Sequence, residues 1–137
     1  MTRSRRFSRR ARGMAMVEMV FVLPVLLLIL FAIAEFGLMF NRWLTLSNAA
    51  REGARVGVLF RAPCDGPTVK KEAEDAVKNY AGSVNLTLTS SNIFVTGMCD
   101  TVTRNFKVEV TYPFALQIPF FANTTIPLKY SSTMRNE

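Results

Sequence analysis

Between Met14 and Phe40 the chain runs for 27 residues with only two charged side chains, Glu18 and Glu35. As a helix rising ~1.5 Å per residue the run is ~40 Å long, against a bilayer hydrocarbon thickness of ~30 Å. The two glutamates stand 17 positions apart, which is ~25 Å along a helix axis, so each can lie near one membrane face. Directly before the run come Arg3, Arg5, Arg6, Arg9, Arg10 and Arg12, with no acid among them, and then Gly13. A block of arginines ahead of an apolar span fixes orientation by the positive-inside rule. Residues 1–13 are therefore expected to form a basic cytoplasmic leader and 14–40 a transmembrane helix. Residues 41–61 are expected to continue that helix on the far side, with 62–137 as an α+β domain.

The same arginines account for most of the net charge. The chain totals +7, but beyond residue 12 it carries eleven basic and ten acidic side chains, a net of +1. Nucleic-acid binding needs a basic patch on the folded surface, and none remains there. The sequence has no histidine, which removes the commonest general base and metal ligand. No nucleophile–base pair, phosphate loop or paired-carboxylate motif is found, so no enzyme, cofactor or metal centre is expected. Asp65, Glu72, Glu74 and Asp75 beside Lys70 and Lys71 read as the solvated face of a short helix. Cys64 and Cys99 are the two cysteines. An oxidising compartment favours their pairing as a disulfide; a free or metal-binding pair is the alternative, and two cysteines without histidine make a poor zinc site. A bridge would close a loop of about 36 residues and contribute ~3–4 kcal/mol to a domain small enough to need it.

Helical periodicity continues past the apolar run. Met39, Trp43, Leu46, Ala50, Gly53, Ala54 and Gly57 recur every three or four residues, with Asn48, Arg51, Glu52 and Arg55 opposite them. One helix from about Met14 to about Phe60 is expected, with Pro24 as a mild kink. Its alanine–glycine stripe is expected to receive a sheet. Pro63, Gly66 and Pro67 break the helix. A second one follows with Val69, Ala73, Ala76, Val77 and Tyr80 on one face, ending at Gly82. Alternation then predicts short strands at Val84–Leu88, Ile93–Val95, Val102–Tyr112 and Ile126–Tyr130. Pro113 is expected to close the third, and 113–127 to be an extended loop or edge segment. The architecture expected is α+β: a long N-terminal helix, a second helix, and three or four antiparallel strands.

The segment RRARG-MAMVE-MVFVLP places glycine, four residues and then glutamate between an arginine block and an apolar helix. It resembles the class III signal of type IV pilin-like proteins, which a prepilin peptidase cuts after the glycine. That resemblance implies cleavage between Gly13 and Met14, with Glu18 as the fifth residue of the mature chain. It further implies that Glu18 pairs with the new amino terminus of a neighbouring subunit during assembly. Residue chemistry leaves a second reading open, in which Glu18 marks the interface and pairs with a leader arginine. VFVLPVLLLILFAIAEFG, LTLSNAAREGARVGV, TYPF and SSTMRNE are together similar to the TadE family of tight-adherence (Flp) pilus systems. Met19 departs from the tyrosine that major Flp pilins and many pseudopilins carry after the glutamate, and the long second half departs from the very short chains of the major pilins. The resemblance thus implies a pseudopilin or minor pilin of the bacterial inner membrane, used in adhesion or secretion machinery. Its partners would be the prepilin peptidase, other pilins or pseudopilins, an inner-membrane assembly platform and the lipid bilayer.

Glu35 has two readings, an outer-interface residue solvated by headgroups or a partner for a basic group on a neighbouring protein. Arg51 and Arg55 are candidate contacts to a partner subunit. The competing function is a secreted soluble protein, because Ala32-Ile33-Ala34 also satisfies a signal-peptidase site. Glu18 inside the apolar region and the helical stripe running through that cut weigh against it.

Overall fold

The computed structural model describes residues 8–59, 63–100, 104–117 and 124–135. One helix, α1 (Ser8–Gly57), runs through 50 residues, about 75 Å. It begins earlier than the start expected near Met14, since Ser8–Arg12 already belong to it. The helix is continuous through Pro24. It ends at Gly57, followed by a turn in which the Val58 amide donates to the Ala54 carbonyl at 3.1 Å.

The rest is a small head built around the last third of α1. Helix α2 (Gly66–Ser83) lies against it, and strands β1 (Ile93–Thr96), β2 (Asn105–Leu116) and β3 (Thr124–Arg135) form an antiparallel sheet in the order β1-β2-β3. Leu46, Ala49, Ala50 and Ala54 of α1, Val69, Ala73, Val77 and Ala81 of α2, and Phe106, Val108 and Val110 of β2 make one core. The four α2 residues are spaced by four, so a single line of small side chains faces α1. The small-residue stripe receives both neighbours and not the sheet alone. A Cβ on Gly53 would overlap Val77 of α2 and come within 3.6 Å of Val108, and one on Gly57 would fall inside the Phe106 ring. Small residues at those two positions let α2 and β2 touch the α1 backbone together.

Three details depart from the strand pattern expected. Val84–Leu88 is not a strand. Asn85 takes a left-handed conformation (φ 57°), its amide donates to the Gly82 carbonyl at 3.1 Å, and the Leu86 amide donates to the Ala81 carbonyl at 2.9 Å. These are the two bonds of a Schellman cap, so amides that a ladder would need close α2 instead. Leu86 and Leu88 still enter the core. Second, β2 does not stop at Pro113 but pairs with β3 through Leu116. Third, 124–127 belong to β3, and Pro113 stands opposite Pro127 in the register. Two residues without N–H can face each other only where the ladder makes no bond between them, with each ring nitrogen turned to the outer edge. Pro113 has that freedom because β1 pairs β2 only from Lys107 to Val110. The strand expected at Val102–Tyr112 thus starts at Asn105, and Val102 lies outside the described residues.

Cys64 and Cys99 are disulfide-bonded, with Cα atoms 5.8 Å apart. The bridge joins the start of α2 to the β1–β2 connection, where Gly97, Cys99 and Arg104 all have positive φ. A left-handed non-glycine residue costs about 1–2 kcal/mol; the cross-link holds two such residues in one short connection.

Gly57→Ala is expected to destabilise the full chain in detergent by about 1–3 kcal/mol, outweighing the better helix propensity of alanine, because the buried Phe106 ring has no room to turn. Urea unfolding monitored by circular dichroism measures it. Replacing both cysteines by serine should cost ~3–4 kcal/mol by the same measurement.

Candidate functional site

Outside the head, α1 is bare. From Met14 to Phe40 every large apolar side chain but Leu28 and Met39 is exposed to the surroundings of the single chain. Covering such a side chain is worth about 1.5–3 kcal/mol, so the stem as a whole leaves tens of kcal/mol unrealised. Its most apolar 18-residue stretch has a mean hydropathy of 2.8 and no buried residue. By length and composition the stem can cross a membrane, and this is compatible with a single-pass anchor.

The sequence-derived site residues fall in two groups along this rod. Gly13, Met14 and Glu18 are exposed at the free end, within about one and a half turns. A Cβ at Gly13 meets nothing within 4 Å. Glu35 is half-buried near the other end of the apolar run. Arg51 and Arg55 lie on the head's part of α1. Arg55 forms a two-bond pair with Glu52, at 2.6 and 3.0 Å, and the Arg55 hydrogen bond holds the Glu52 carboxyl below its ordinary range. Both groups face water, so the pair contributes little to stability.

Arg51 does something sequence reasoning missed. Its guanidinium donates to the Tyr130 hydroxyl at 3.2 Å, and Trp43 meets the same ring edge-on, with centroids 5.9 Å apart at 83°. Ser47 hydrogen-bonds the phenol as well. Trp43, Ser47 and Arg51 are spaced by four, one above another on α1, while their partner is 79 residues from Arg51. The stripe read from the sequence set Trp43 and Arg51 on opposite faces of α1; in the structure both meet the Tyr130 ring. Below Trp43 the rings of Phe40 and Phe36 continue the line, at 6.1 and 6.5 Å between centroids. Arg42 adds a contact of 3.4 Å to the Asn85 carbonyl at the end of α2. The stem is therefore joined to the head through one aromatic and polar seam, centred on Tyr130.

Nothing in this seam is arranged for catalysis. The described residues hold no group of three or more histidines, cysteines or acids that could bind a metal. The depression beside Tyr130, lined by Glu109, Lys129 and Ser131, is shallow and open, and Glu109 is already paired with Lys107 at 3.1 Å.

Residues 13–55 match a family model described as TadE-like protein. Over those residues the chain is similar to the TadE-like family. The match starts at Gly13 and ends two residues short of the end of α1, so it covers the bare stem and the stripe on which the head is built. Beyond residue 55 the family model does not reach. No curated protein and no solved structure matches the chain. The TadE-like family consists of pilus components rather than enzymes.

The Ser47 hydrogen bond, and after it the Arg51 one, lowers the Tyr130 pKa from the ordinary value near 10. A group whose folded pKa is depressed adds stability above its unfolded pKa and loses it as pH falls through the folded one. Stability should thus rise with pH in that alkaline window. Ser47→Ala should return the phenol further towards its ordinary titration than Arg51→Ala does, read as the ultraviolet difference between each variant and its Tyr130→Phe counterpart.

Proposed function

We propose that this TadE-like chain is a non-enzymatic pseudopilin or minor pilin of a tight-adherence pilus, anchored by α1 and matured by cleavage between Gly13 and Met14. The observation that carries this reading is the match beginning at Gly13 on a helix whose apolar surface has no cover among the described residues. A bilayer covers that surface first, and neighbouring stems cover it in the assembled pilus.

The leader then acts as a latch. Moving an arginine to the membrane centre costs about 2.5–3.5 kcal/mol on the insertion scale, so six of them hold the stem's start in the cytoplasm against extraction. Cutting after Gly13 removes all six and leaves a free amine on Met14. Glu18 sits four residues further, about 6 Å along the axis. A carboxylate at that depth is costly until it is paired. The Met14 amine of a neighbouring subunit supplies the partner, and the pairing sets the axial register of one stem on the next. In this reading the peptidase, other pilins and an inner-membrane platform are the partners, and the head faces the periplasm.

The mature amino terminus, read by mass spectrometry of protein from its native host, is expected to be Met14. A chain starting at Glu35 would replace the proposal with signal-peptide secretion, and an intact leader would reduce it to a plain anchor. Gly13→Ala should abolish processing. Alanine meets no atom there and is about 1 kcal/mol the better helix former, so the loss would not come from misfolding. Glu18→Ala should leave insertion and cleavage intact and remove piliation; normal pili in that variant would sink the pairing role.

A further inference from the structure

The far end of the β2–β3 hairpin returns along α1 towards the stem. The Phe106 ring packs at Gly57, Val108 at Gly53, and Tyr130, opposite Val110, against Ser47 and its neighbours. Four residues of β2, about 13 Å, thus match ten residues of α1, about 15 Å. Strand and helix run side by side in opposite directions. From Val110 to Leu116 the strand advances a further ~20 Å, equivalent to about 13 helical residues. That brings the Leu116–Thr124 end of the hairpin to the level of Glu35, one of the two acids that bound the apolar run.

The composition of the hairpin changes on the way. Between Glu109 and Lys129 there is no charged residue on either face, whereas the ladder beyond them carries Lys107 and Arg135. Uncharged open edges facing water are an aggregation hazard that proteins usually blunt with charge. Among the described residues, β2 beyond Val110 and the outer edge of β3 have no further strand beside them. Open edges do not enter the hydrocarbon, where their amides would find no partners. At headgroup depth, water and lipid oxygens satisfy them.

We propose that the distal β2–β3 hairpin, from Pro113 to Leu116 and from Thr124 to Pro127, rests on the lipid headgroups of the leaflet at the Glu35 end of the stem. The head then touches the membrane at a second place besides α1 and stands on it at a fixed tilt. This inference rests on the reading of α1 as a membrane anchor, and the test separates the two.

The full chain, with Trp43→Phe to remove its single tryptophan, is reconstituted in phosphatidylcholine–phosphatidylglycerol vesicles containing a headgroup-nitroxide lipid. F36W reports the stem, A115W the hairpin, and F94W the outer face of the sheet beside Glu109. Ala115 is exposed, and Q117W, just past the strand end, is the second variant should A115W lose its disulfide. The expected result is strong loss of emission from F36W and from A115W or Q117W, with F94W retaining its own. Quenching of F36W with none at 115 or 117 overturns the hairpin contact and leaves the anchor standing. No quenching at any position overturns both. Emission from A115W that responds to protein density but not to nitroxide assigns the surface to a second copy of the chain, and overturns the proposal too.

Discussion

The head exists because two glycines let three backbones meet. Gly53 and Gly57 bring α2 and β2 against α1 at once, and no side chain larger than hydrogen fits between them. Among the described residues the head's core is built on this helix, with Leu46, Ala49, Ala50 and Ala54 supplying its α1 side. A helix that leaves its first two thirds bare therefore serves as the central structural member of the folded part. The disulfide holds the opposite end closed, and the Tyr130 seam closes the end nearest the stem.

Much of this was legible in the chain. The apolar run, the continuing stripe and the buried face of β2 follow from periodicity alone; on α2 periodicity finds Val69, Ala73 and Val77 but also names Tyr80, which is exposed, and misses the buried Ala81. The stripe's double occupancy was not legible, because alanine and glycine at helical spacing announce close approach without naming what approaches. Val84–Leu88 alternates as a strand does, and its two leucines are buried as a strand's would be. The hydrogen bonds that decide the matter depend on Asn85 adopting a left-handed turn, which asparagine only permits. Pro113 and Pro127 each read as a strand breaker. Their pairing across the ladder needs a register that neither residue carries in its own neighbourhood.

The site divides in the same way. Gly13, Met14 and Glu18 are a local motif, complete within six residues, and are proposed from the sequence alone. The Tyr130 seam is assembled from residues nearly eighty apart, and only half of it has a periodic signature. Arg51 and Arg55 look equivalent in the segment AAREGAR. Folding separates them: one guanidinium is committed to the seam, while the other pairs with Glu52 on the open side of the helix.

The absence of any break in α1 has a geometric result. With 3.6 residues per turn, each position is rotated by about 100° from the last, so the azimuth of Glu18 and the azimuth of the head are locked in phase by the residues between them. Inserting one residue into the stem would leave both ends intact and swing the head about a quarter-turn around the axis. Heads mounted this way point in a direction chosen at the opposite end of the rod, as a key's handle reports the angle of its teeth.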